Sequence, residues 1–138
     1  MYVILNFKKR IKNKIEFLIY FNIYNKMSSQ FPLYETLKNM SINDKDISSL
    51  QKDEIVDHIK NDQKCHEFIY ALIKSYQIDN DDIDSELYQS KKSNENTLKF
   101  NINKLPQKLQ IILYKFMKKR NEELIRENEI TKLTQENL

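Results

Sequence analysis

The chain has 138 residues, 40% hydrophobic and 31% charged, with a formal net charge of +3. That balance fits one folded domain rather than a disordered chain, and a charge this small does not by itself imply a polyanion partner. Glycine is absent altogether, which excludes a Walker loop, a dinucleotide-binding turn and a nucleophile elbow, since each needs glycine for positive φ or close backbone approach.

Lysine, asparagine, isoleucine, tyrosine and phenylalanine are heavily used, the residues of A/T-rich codons. A single cysteine, Cys65, rules out an intramolecular disulfide and suits a reducing compartment. The expected location is therefore intracellular (cytoplasm, nucleus or a virus factory) and not secreted. Helix ends that would use a left-handed glycine must use another residue, and Asn61 and Asn80 stand where two helices should stop.

In residues 1–26, Ile4, Ile11, Ile15, Leu18 and Ile19 fall on one helical face, with Lys8, Lys9, Arg10, Lys12 and Lys14 between them. The apolar block is broken at Asn22 and is shorter than the ~20 residues that span a bilayer. Two readings stay open: a helix lying on a membrane surface, or a dispensable leader with Met27 as the true start. The leader is preferred, so 1–26 is expected to lie outside the domain.

Residues 31–40 read as a short helix with Pro32 in its first turn and Leu33, Leu37 and Met40 on one face. Asn39-Met40-Ser41 matches a glycosylation acceptor, a chance match in an asparagine-rich chain. Ser48-Ser49-Leu50-Gln51 has the form of a capping box opening a helix to about Lys60. Leu50, Ile55, Val56 and Ile59 are expected to face inward. Asp62 is the expected cap of the next helix, residues 63–77, whose stripe is Cys65, Phe68, Ile69, Leu72, Ile73 and Tyr76. The short connection predicts a helical hairpin turning near Asn61.

Residues 79–96 are polar and irregular. Leu87 and Tyr88 are the expected strand partner for Leu98, Phe100 and Ile102, which alternate with polar residues at the period of a half-buried strand. Proline at 106 ends that pattern and opens a helix, with Asn103 as the expected N-cap. Leu105, Leu109, Ile112, Leu113, Phe116 and Met117 then form an oily helical stripe, with a basic stripe of Lys104, Lys108, Lys115 and Lys119 beside it. Beyond Asn121 the apolar spacing thins to Leu124, Ile125, Ile130 and Leu133, a solvated extension too sparse for a coiled coil.

The strand–turn–helix wording around Leu98, Phe100, Ile102, Asn103, Lys104, Leu105, Pro106, Lys108, Leu109, Ile111 and Ile112 resembles the start of the NET (extra-terminal) domain of bromodomain-containing transcription regulators. The resemblance covers about twenty residues. The acidic segment 79–87 precedes them, whereas the family's acidic-hydrophobic strand follows, so that strand has no counterpart here. The resemblance implies a peptide-binding module with chromatin or transcription partners. The chain also resembles small proteins of large AT-rich DNA viruses.

Candidate chemistry is sparse. Cys65 and His66, with His58 upstream, are the one soft-ligand group. They read as a buried structural thiol and a surface histidine, so no metal is expected. The run from Asn80 through Asp82 and Asp84 fails as a calcium loop, because the bidentate glutamate position is Lys91. No acid–base pair or activated nucleophile is visible, so no enzyme and no cofactor are expected.

The expected fold is mainly α: a small helical domain, made of a helical hairpin and a long C-terminal helix, with a short β-hairpin or single strand. It spans 27–120, with 121–138 as the extension. The expected function is a non-catalytic protein-interaction module binding a protein or peptide through Leu98, Phe100, Ile102, Lys104, Lys108 and Leu109. The alternative is electrostatic nucleic-acid binding through Lys104, Lys108, Lys115 and Lys119. A membrane role is expected only for 1–26, if anywhere.

Overall fold

The computed structural model describes residues 2–6, 32–80, 91–94 and 97–136; of 91–94 and 136 it describes the backbone. In chain order the elements are β1 (Tyr2–Asn6), α1 (Pro32–Met40), α2 (Ser49–Asn61), a 3-10 turn (Gln63–Cys65), α3 (His66–Asp79), β2 (Lys91–Asn94), β3 (Thr97–Asn101), a second 3-10 turn (Ile102–Lys104) and α4 (Gln107–Glu136). The protein is mainly helical, with a long C-terminal helix and a three-stranded antiparallel sheet in the order β1-β3-β2.

The sheet corrects the reading of the N-terminus. Tyr2–Asn6 is a strand, not the opening of a helix, and it pairs antiparallel with β3. Val3 stands opposite Phe100 and Leu5 opposite Leu98, and all four are buried. Ile4 points the other way and is exposed, as alternation in a half-covered strand requires. These five residues therefore belong to the domain; 7–26 lie outside the described residues. The expected partner strand at Leu87 and Tyr88 lies outside them too. Among the described residues, the other edge of β3 pairs with β2, with an irregularity between Lys92 and Asn94.

One apolar core joins the sheet to all four helices. From the sheet it takes Val3, Leu5, Leu98 and Phe100, and from α1 Tyr34 and Leu37. Ile55 and Ile59 of α2, Ile69, Tyr70, Leu72 and Ile73 of α3, and Leu109, Ile112, Leu113, Phe116 and Met117 of α4 join it, with Cys65, Ile102 and Leu105 from the turns. The expected stripe of α4 is buried in full. Burying each large apolar side chain contributes ~1.5–3 kcal/mol before entropy is counted, so this seam organises the fold.

The capping box is present. Ser48 accepts from the Gln51 amide at 3.2 Å, and the Gln51 side chain accepts from the Ser48 amide at 2.8 Å. Leu50, however, is exposed, because the first turn of α2 stands clear of the core. Met40 is likewise exposed, and Tyr34 takes the inward place expected of it. The helix ends at Asn61 and Asn80 do not use the left-handed region: the C-cap residues Asp62 and Asn80 have φ of −124° and −105°. Asn80 instead turns its side-chain amide back to donate to the Tyr76 carbonyl at 2.8 Å.

Asn103 does not cap α4. It lies inside the second 3-10 turn, where its amide donates to the Asn101 side chain at 2.9 Å. The bend into α4 is held by Gln110, a buried polar residue whose side-chain amide donates to the carbonyls of Ile102 and Leu105 at 3.0 and 2.9 Å. The Ile102 carbonyl also accepts from the Leu105 amide at 3.2 Å, so Gln110 matters most to the Leu105 carbonyl, where losing the bond costs about 1–3 kcal/mol.

Candidate functional site

The expected partner-binding set divides on burial. Leu98, Phe100, Ile102 and Leu109 are core residues, and β3 is the central strand, paired on both edges. Neither their side chains nor a free strand edge is available to a peptide. Lys104 and Lys108 are exposed near the start of α4. In the alternative lysine set, Lys115 is held by Asp44 at 2.9 Å, while Lys104, Lys108 and Lys119 remain exposed.

A cleft of about 410 Å³ lies between α1, the first 3-10 turn, α3 and α4, lined by Leu33, Lys64, Phe68, Phe116, Lys119, Arg120 and Glu123. The sequence pattern puts Phe68 on the apolar stripe of α3. In the fold it comes to the margin, 49% exposed, with its ring stacked on Phe116 at 6.2 Å between centroids and 29° between planes. An aromatic pair with one ring half in solvent is an apolar floor rather than a sealed core contact. Lys64 and Lys119 are exposed and make no ion pair among the described residues.

Arg120 forms the inner wall. Its Nε donates to Asp62 Oδ2 at 2.9 Å, and its Nη1 stands 3.9 Å from Glu123. The charge and hydrogen bond of Asp62 raise the affinity of Arg120 for its proton, so the guanidinium is a fixed cation. Asp62 therefore does not cap α3: it makes no side-chain cap bond, and its carboxylate turns to Arg120 and to His58 Nε2 at 3.3 Å.

Behind Asp62 is Cys65, whose thiol is pushed up to about 12 by burial, with the neighbouring carboxylate adding and Arg120 partly opposing. A thiol so strongly protonated and 1% exposed is no nucleophile toward an outside substrate. His58, Asp62 and Cys65 nevertheless bring their ligand atoms within 4.8 Å of one another. Asp62 was missed in the sequence because its spacing to the next helix looks like a cap.

The other correction is His66. Expected at the surface, it is 2% exposed. Its Nδ1 accepts from the Asn6 amide at 2.9 Å and its Nε2 faces the Ile59 carbonyl at 2.6 Å. Those partners specify the tautomer with the proton on Nε2, so the ring is occupied in joining β1 to α2 and is not a free ligand.

No family model, curated protein or solved structure matches this chain.

Past Arg120, α4 continues to Glu136 with Ile125, Ile130 and Leu133 all exposed. Among the described residues, no helix is long and apolar enough to cross a membrane.

Proposed function

We propose that the protein is a non-catalytic interaction module that seats an acidic, amphipathic helix of a protein partner on the Phe68–Phe116 cleft. The observation that carries this reading is the pairing of an apolar floor with a cationic rim. Leu33, Phe68 and Phe116 offer a seat for one or two large apolar side chains, and Lys64 and Lys119 offer charge to acidic neighbours one turn away. Helix-in-groove recognition needs the apolar floor, and the lysines select for an acidic helix by charge complementarity. The cleft replaces β3 as the contact surface, because β3 has no unpaired edge. A transcription- or chromatin-related partner is what the NET-like segment adds to the proposal.

Nucleic-acid binding through the lysine stripe is less well supported, since Asp44 neutralises Lys115 in the middle of it. The test uses the full chain and two variants, Phe68→Asp and the double substitution Lys64→Glu/Lys119→Glu. Lys64→Glu/Lys119→Glu alters exposed positions and should melt with the parent, whereas Phe68→Asp also gives up the ring stack on Phe116, so its capture is read at a temperature where its melt shows it folded. Photo-crosslinking from position 33, which lines the same cleft, should capture one polypeptide in native extract and lose it in both variants. The acidic stretch of α4 beyond the cleft, with Glu122, Glu127 and Glu129 around Ile125, has the same chemistry, and sedimentation shows whether the captured partner is a second copy. Capture unchanged by both variants, or recovery of nucleic acid that falls steeply with salt, would overturn the proposal.

A further inference from the structure

We propose that the corner between α2 and α3 is a binding site for a zinc-class divalent cation, with His58, Asp62 and Cys65 as its protein ligands. The corner is local and already held in shape. His58 lies in the last turn of α2, Asp62 is its C-cap and Cys65 closes the 3-10 turn. The Asp62 amide donates to the His58 carbonyl at 2.9 Å, and the Cys65 amide donates to the Asp62 carbonyl at 3.2 Å. Three donors separated by three and two residues are thereby wrapped round one bend.

Two independent observations point to a ligand there. The first is convergence: the ligand atoms of all three side chains lie within 4.8 Å of one another. Donor atoms round a tetrahedral zinc ion sit roughly 3.3–3.6 Å apart. His58 Nε2 and Asp62 Oδ2, at 3.3 Å, already have that spacing, so the thiol has about 1 Å to close. The second is an orphaned nitrogen. The His58 side chain is 8% exposed, and its Nε2 is buried without a hydrogen-bond partner, since the approach to Asp62 lacks hydrogen-bond geometry. Leaving such a group unpaired is costly unless something else occupies it. A metal ion would satisfy it.

The donor set selects the class of ion. Imidazole, carboxylate and thiolate together suit zinc, whose catalytic sites use three protein ligands and a water. Calcium and magnesium prefer oxygen alone. Arg120 holds Asp62 from outside. It keeps the carboxylate oriented, as outer partners of metal ligands do, while its charge opposes part of the attraction. Binding must expel the Cys65 proton to solvent, because the metal takes the thiolate.

The chain contains one cysteine, so the central test needs no variant. Titrating the full-length protein with cobalt(II) should give a thiolate-to-metal charge-transfer band saturating at one equivalent, with about one proton released per ion bound at pH 7. Zinc should displace the cobalt and raise the melting temperature. His58→Gln and Asp62→Asn should each weaken binding roughly 10–100-fold or more, and Cys65→Ser should remove the band. Absence of the band in the parent protein would overturn the proposal. So would saturation at half an equivalent, which means a thiolate shared between chains, or a titration curve unmoved by both His58→Gln and Asp62→Asn. A variant that melts early apart from metal is replaced by Asp62→Glu, which should keep the charge and shift the affinity.

Discussion

His66 shows how much one side chain can organise. Through its two ring nitrogens it binds the end of β1 and the last turn of α2 while standing at the first position of α3. His66→Phe would fill the space, leave the buried Ile59 carbonyl without its partner and take from the part-buried Asn6 amide its acceptor. We expect a loss of about 2–4 kcal/mol in urea denaturation. A loss below about 0.5 kcal/mol would mean that neither bond is made in solution. Asp79 works at the other end of α3, accepting from Tyr34 at 2.8 Å and Lys38 at 2.7 Å. Partial burial pushes its carboxyl up, but those hydrogen bonds and the Lys38 charge outweigh it and hold the group below the ordinary aspartate range. A depressed carboxylate contributes stability that is present above its unfolded pKa, near 4, and lost as pH falls through the lower folded value. The pair is substantially solvated, so the contribution is at most about 1 kcal/mol. Asp79→Asn should therefore be slightly less stable than the parent at pH 7. The two should converge in acid below about pH 4, as read by thermal melts across that range. Curves that stay parallel would remove Asp79 from the acid response.

At the scale of elements, α4 does two unlike things. Its first half is the seam of the core, and its second half covers no described residue with Ile125, Ile130 or Leu133. The division follows the spacing of apolar residues. From Leu105 to Met117 they recur at three and four, which keeps one face turned to the sheet and the other helices. After Asn121 they drift around the axis and cannot face one surface. The whole helix is 30 residues, roughly 45 Å long at 1.5 Å per residue, longer than a core of this size can cover. Its entry is equally specific. Pro106 ends the extended chain, and its carbonyl accepts from the Gln110 amide at 3.0 Å while the Gln110 side chain closes the bend. Gln110 lies between Leu109 and Ile111, and nothing in periodicity distinguishes it from a solvated polar residue.

For the whole molecule the decisive contact is the longest in sequence. β1 and β3 are more than ninety residues apart, yet they supply facing pairs, Val3 with Phe100 and Leu5 with Leu98, that close one side of the core. Leu5 is fully buried. Leu5→Ala should cost about 2–5 kcal/mol, whereas Ile4→Ala, on the outer face, should cost much less. Denaturant midpoints for the two variants check this. Equal small effects would place the N-terminal strand outside the fold after all.

What was legible in the chain was whatever depends on near neighbours. The capping box at Ser48, the oily face of α4, the strand through Phe100 and the proline boundary all follow from spacing within about one or two turns. That is why the mainly helical fold could be read directly. The partner of β3, the inward turn of His66 and the meeting of His58, Asp62 and Cys65 with Arg120 were decided only by tertiary structure. Each depends on which surfaces the core brings together. A strand chooses its neighbour by shared burial, and a polar side chain shows its role only when the groups around it have been deprived of water.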